Sequence, residues 1–162
     1  MTAFHRGLAA TAAALLVLAA CGGEDTTPKS LSGYELEPAP SVATIALPDA
    51  SADDAEFTMK ADEGRFLVVY FGYTSCPDVC PTTLAEVKKA FTQLGDTAER
   101  VDVAMITIDP DRDTDEILTG YVQSFLPGAH ALRTTDAELL QTAGDAFGAS
   151  FCFTLGTGFD AR

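Results

Sequence analysis

Basic residues are scarce in this chain: ten Lys and Arg stand against 24 Asp and Glu, for a net charge of -14. A body of that sign repels phosphates, which argues against a nucleic-acid-binding role and against adsorption to anionic headgroups. Histidine is scarcer still, with only His5 and His130 available as imidazole ligands. The four cysteines are Cys21, Cys76, Cys80 and Cys152. With Cys21 set aside they cannot make a four-sulfur zinc site. No internal repeat appears, and no apolar run is long enough to cross a bilayer. Leu8 to Ala20 is uncharged for 13 residues, where a spanning helix needs about 20.

What that short run does fit is the apolar segment of an export signal, with Arg6 as its positive flank. It ends in Leu18-Ala19-Ala20-Cys21, which resembles the lipobox of bacterial lipoproteins. The resemblance implies cleavage after Ala20 and a diacylglycerol on Cys21, and two acyl chains suffice for stable anchoring. Ordinary secretory cleavage with Cys21 incidental is the competing reading. Loss of residues 1–20 removes one basic and no acidic residue, leaving nine against 24 and a net charge of -15. Residues 21–40, polar and rich in Gly and Pro, read as a flexible tether, since they can bury little. Residues 41–162 are long enough for one domain with one core.

Within that domain, 42–47 and 56–59 are expected to pair as a hairpin. Arg65 to Phe71 is a continuous apolar run rich in β-branched and aromatic residues, the pattern of a central strand buried on both faces. Leu84, Val87, Phe91 and Leu94 recur at helical spacing, and Gly95 closes that helix. Val101 to Ile108 is a second buried strand, running into Asp109-Pro110-Asp111-Arg112. A helix capped by Asp113 should follow, burying Ile117, Tyr121 and Phe125. A last helix, with Thr135 and Glu138 as a capping box, should bury Leu139, Leu140, Ala143, Ala146 and Phe147 and stop at Gly148. Residues 150–155 are expected to add one more strand. Strands alternating with helices predict an α/β fold with a mainly parallel sheet and helices on both faces.

The chemistry concentrates in Cys76-Pro-Asp-Val-Cys80-Pro81, between the first buried strand and a helix with Pro81 at its first position. A thiol at a helix N-terminus lies near unsatisfied N–H groups, which favour the thiolate. Residues i and i+4 on a helical turn hold their Cβ atoms about 5–6 Å apart, suited to gripping one soft metal ion or to closing a disulfide after a small shift. A permanent staple is the bland alternative, weakened because so small a loop constrains the unfolded chain little.

FGYTSCPDVCPTTL, followed by TIDPDRDT at the second strand, is similar to the Sco/SenC family of copper-binding thioredoxin-fold proteins, over about residues 33–149. The resemblance implies a thioredoxin-like sheet with flanking helices. It also implies a protein on the outer face of the bacterial cytoplasmic membrane that supplies copper to the binuclear centre of cytochrome c oxidase subunit II or another extracytoplasmic copper protein, or keeps that centre's cysteines reduced. Cys76 and Cys80 would be the two sulfur ligands. The family's third ligand, a His in a loop after the last matched helix, has no counterpart here, because His130 precedes that helix. The family's C-terminal hairpin and helix are likewise absent from the sequence, which reads as a truncated or frame-shifted product whose sheet would lack an edge and whose fold would be marginal. A membrane-tethered thiol-disulfide reductase without stable copper is the alternative function.

Three further features have plainer readings. His130 as a replacement ligand would need its loop to swing, whereas a lone loop His is ordinarily solvated. Cys152, between Phe151 and Phe153, reads first as a small buried hydrophobe and second as a third or resolving sulfur. The Asp109 to Asp113 loop follows a strand's C-terminal end, where open α/β sheets place their sites, and is expected at most to border the dithiol.

Overall fold

The computed structural model describes residues 33–151. Two units divide the chain, Met1–Glu35 and Leu36–Arg162. Of the first, only residues 33–35 are described, and they are exposed. In the second, the elements run β1 (Ala46–Asp49), β2 (Ala55–Thr58), β3 (Phe66–Gly72), α1 (Val79–Leu94), β4 (Val101–Thr107), α2 (Asp115–Phe125), β5 (His130–Leu132) and α3 (Ala137–Phe147). The described sheet has the order β2-β1-β5-β4-β3. β3, β4 and β5 are parallel, and β1 is antiparallel to both β5 and β2. This is the expected sheet with flanking helices, mixed rather than mainly parallel because the β1–β2 hairpin joins it.

β4 shows how the layers are built. Successive side chains on a strand point to opposite faces. Val103 and Met105 join Leu84, Leu118 and Val122 under α1 and α2, whereas Ala104 and Ile106 join Leu47, Leu132 and Leu140 under α3. β3 alternates likewise: Leu67, Val69 and Phe71 pack on the α3 side, and Tyr70 on the α1–α2 side.

Several expectations shift. β3 is not central among the described strands. It ends the described sheet, with Phe66 and Val68 exposed, and β4 lies inside it. β1 begins at Ala46 rather than at 42, because Ile45 N–H bonds back to Val42 O and the chain turns there first. The three-residue β5 was not expected at all. In α2 the fully buried residues are Leu118 and Val122, with Tyr121 and Phe125 partly buried beside them and Ile117 half exposed, so the apolar face is rotated from the predicted one. α3 is capped by Asp136, whose side chain accepts from Glu138 N–H and Leu139 N–H, and not by Thr135. Gly148 ends it at φ 68°, a conformation that suits glycine. The expected strand at 150–155 lies almost wholly outside the described residues. No helix among the described residues is long and apolar enough to cross a membrane.

Candidate functional site

The two cysteines lie where β3 hands over to α1. Gly72 is the last strand residue, and its O accepts Ile108 N–H at 2.9 Å, tying the ends of β3 and β4 together. A Cβ there would come within 2.7 Å of the Tyr70 ring, so the position requires glycine. Helix α1 starts at Val79 with Asp78 as N-cap, two residues earlier than expected, which makes Pro81 its third residue. That is still harmless, because the first four helical N–H groups have no intrahelical partner and proline simply lacks one. Cys80 therefore lies in the first turn, and Cys76 lies outside the helix.

Cys76 nevertheless serves the helix. Asp78 makes no side-chain cap bond, and the Sγ of Cys76 accepts the N–H of Cys80 at 3.3 Å. Both thiols are free; Cys76 is partly exposed and Cys80 is buried, at 5% exposure. The two behave differently. Burial pushes Cys76 up, but the Cys80 thiol, the N–H groups of Cys80 and Asp78 and the Tyr73 side chain outweigh it and hold its pKa below the ordinary thiol value. Burial first, then the adjacent Cys76, pushes Cys80 above it. Of the two, Cys76 is the more disposed to the thiolate and Cys80 the more disposed to keep its proton.

Tyrosines border the pair from three elements. Tyr70, on β3, is raised by burial and shares hydrogen bonds with Cys80 and Thr83. Tyr73, in the loop, is raised by burial and by Cys76. Tyr121, on α2, is pushed up to about 12 by burial and then by the two thiols and Asp113. Its hydroxyl is buried with no hydrogen-bond partner in the described structure. Phenols around a dithiol limit water access and supply donors, both of which tune sulfur reactivity.

Asp113 departs from its expected role. Thr114 caps α2, accepting Ile117 N–H. Asp113 is fully buried, and its carboxyl oxygens accept Thr74 N–H at 3.0 Å, Thr74 Oγ1–H at 2.5 Å and Thr107 Oγ1–H at 2.6 Å. Asp109, also buried, pairs with Arg112. The signal for Asp113 was present in TIDPDRDT but ambiguous, since an acid just before a helix reads first as a cap.

His130 does not approach the dithiol. It opens β5, in register with Ala104, and Ala104 pairs with Val69, three residues before Gly72. Its Nδ1 lies 2.6 Å from Oδ2 of buried Asp49 and its ring packs on Phe57. Burial pushes Asp49 up, but bonds from Ser51, His130 and the Ala131 N–H prevail and hold it below its ordinary value of 3.8. The stabilisation that follows is complete above the unfolded-state value and disappears as the pH falls through the lower folded one. Asp49→Asn should therefore flatten the acid limb of a stability profile followed by urea unfolding between about pH 5 and pH 2. An unchanged limb would refute the assignment.

Among the described residues, no group of three or more His, Cys, Asp and Glu could hold a metal ion together. Cys21 and Cys152 lie outside the described residues. Among the described residues the donor set at this site is the dithiol, and two soft sulfurs fit Cu(I) better than any hard cation.

A family model described as SCO1/SenC matches residues 49–153. A copper-binding candidate of Stutzerimonas stutzeri is 39% identical over 100 residues, covering 61% of this chain and 48% of that protein. The mitochondrial SCO1 homolog of Homo sapiens is 38% identical over 82 residues, 49% of this chain and 27% of its own length. The chain thus spans about half or less of the length of these two relatives. Among solved structures, Bradyrhizobium japonicum ScoI with copper bound aligns with a TM-score of 0.58 and 30% identity, covering 71% of this chain and 73% of that one.

Proposed function

Because this chain belongs to the SCO1/SenC family, we propose that it carries copper as cargo on Cys76 and Cys80, for delivery to the binuclear centre of cytochrome c oxidase or another extracytoplasmic copper protein. The observation that carries this reading is the pair itself: two reduced thiols in contact, one of them partly exposed and biased toward thiolate at a helix N-terminus. Soft thiolates select Cu(I). The copper-bound state of the similar ScoI supports copper as the ion. A diacylglycerol on Cys21 would hold the domain at the outer face of the membrane, with residues 21–40 as its tether, where the acidic body and a membrane-bound acceptor can meet.

The test is competition for the ion. The reduced protein, titrated with Cu(I) in the presence of a chromogenic chelator, should retain a single ion. The absence of both Cu(I) retention and a thiolate-to-Cu(II) absorption band would end the proposal.

One observation favours a second reading: no third His, Cys, Asp or Glu joins the pair among the described residues. As a thiol-disulfide reductase, the Cys76 thiolate would attack a partner disulfide, forming a mixed disulfide and releasing one partner thiolate. Cys80, giving up its proton, would then attack Cys76 Sγ. That step closes the Cys76–Cys80 bond and releases the second partner thiol, so two electrons leave the chain and reduce the partner. Exchange with a peptide disulfide without copper retention would select this reading over the first.

A further inference from the structure

Thr74 lies two residues before Cys76, and nothing in the CxxxC motif itself fixes it. Its N–H and its hydroxyl both go to Asp113, 39 residues further on. The same carboxyl group takes the hydroxyl of Thr107, the last residue of β4. Asp113 is itself held by its N–H on Asp109 O at 3.0 Å. Thr107 and Asp113 are both fully buried. One side chain therefore braces the loop before Cys76 against the end of the neighbouring strand. Downstream of the brace, Cys76 N–H reaches Tyr73 O at 3.3 Å, closing a turn about Thr74 and Ser75 that delivers the Cys76 sulfur onto the Cys80 N–H. Without the brace, Thr74 would lose both bonds that tie this turn to the end of β4.

We propose that Asp113 is the positioning residue of the dithiol: its bonds to Thr74 and Thr107 set where the Cys76 sulfur stands relative to Cys80. The inference rests on the dithiol being the working pair, whether it holds copper or exchanges electrons. It explains why a carboxyl group is fully buried here with every described contact on its oxygens an accepted hydrogen bond. Buried acceptors of this kind are costly to leave unmatched and are well suited to holding a loop in one geometry. It also separates the parts of the TIDPDRDT stretch: Thr114 caps the helix, Asp109 pairs with Arg112, and Asp113 faces the cysteines' loop.

The test uses the full chain and two measurements. The first is the ratio of Cys76 to Cys80 alkylation in the copper-free, reduced protein. The second is Cu(I) retention against a chelator. In Asp113→Ala the labelling ratio, high in the wild type, should fall toward equal labelling, and Cu(I) retention should drop about tenfold or more, as for loss of an outer-shell partner. Asp113→Asn should restore both. Its oxygen can take Thr74 N–H and Thr107 Oγ1–H, and its amide can donate to Thr74 Oγ1, which a hydroxyl can accept. Leu140→Ala, a buried core change on the α3 side, should lower stability and leave the labelling ratio where it was, so that instability alone cannot imitate the effect. A folded Asp113→Ala with the wild-type ratio overturns the inference, and so does an Asn variant as impaired as the Ala variant. If Asp113→Ala does not fold, Thr74→Ala decides: it removes one of the three bonds, should lower the ratio in the same direction, and overturns the inference if it does not. Failure of the wild type to hold copper would leave the labelling arm standing and would count against the copper reading alone.

Discussion

Cys76→Ser should abolish Cu(I) retention while leaving the fold intact. Both halves of that expectation follow from the same contact. Cys76 Sγ accepts the Cys80 N–H at the start of α1, and a serine oxygen is a good acceptor at a helix N-terminus, so the helix keeps its cap. The oxygen is a hard donor and a poor partner for Cu(I), so the ion loses half of its sulfur set. Retention should fall by at least about 100-fold, the upper end of what changes outside the ligand shell cost. Cys80→Ser should lose copper as completely, with its hydroxyl placed where Tyr70 can pair with it. The readout is at hand: the chain has no tryptophan, and three of its four tyrosines border the dithiol, so tyrosine emission should respond to copper in the wild type and not in the variant. Alkylation at neutral pH should find Cys76 first. Its depressed pKa gives more thiolate than an ordinary thiol at that pH, whereas Cys80 is raised and buried. A Cys76→Ser variant that holds Cu(I) as tightly as the wild type would remove the dithiol from the proposed function.

The dithiol was legible in the sequence because its chemistry is local. Cys76, Cys80 and Pro81 sit between an apolar strand and a periodic helix, and both flanks formed. Its support was not legible, because Asp113 reaches Thr74 across 39 residues and nothing short-range distinguishes a buried brace from an N-cap. Thr114 and Thr135 show the same weakness from the other side: adjacent Asp and Thr residues are both competent caps, and local preference cannot choose between them. The phase of α2 failed for a related reason. Ile117, Tyr121 and Phe125 share a four-residue spacing with Leu118 and Val122, and only packing against Leu84 and Met105 decides which row is innermost. β5 escaped notice because three residues make no alternation to read. β3 looked central because apolar composition reports preference for a strand, while position in the sheet is set by pairing, and among the described strands β4 lies inside and β3 at the end.

Packing beneath the site carries the other large effect. Leu84 lies one turn beyond Cys80 on the same face of α1, is 1% exposed, and belongs to the cluster with Met105, Leu118 and Val122. Leu84→Ala should destabilise the domain by about 2–5 kcal/mol, the transfer loss plus the cavity that close-packed neighbours only partly fill. Against a total stability of about 5–15 kcal/mol this is a large share, and the urea midpoint should fall visibly. The consequence for chemistry is more specific than instability. Cys80 is buried because the first turn of α1 lies down on the sheet, and Leu84 is the fully buried aliphatic side chain that holds it there. Loosening that turn should expose Cys80, so its alkylation should accelerate more than that of Cys76, which is already partly exposed. Leu94→Ala, on the same helix but 45% exposed, is the matched comparison and should change neither quantity appreciably. A Leu84→Ala protein whose unfolding free energy lies within about 0.5 kcal/mol of the wild type, the range of ordinary surface substitutions, would mean that α1 is held by something other than its apolar face.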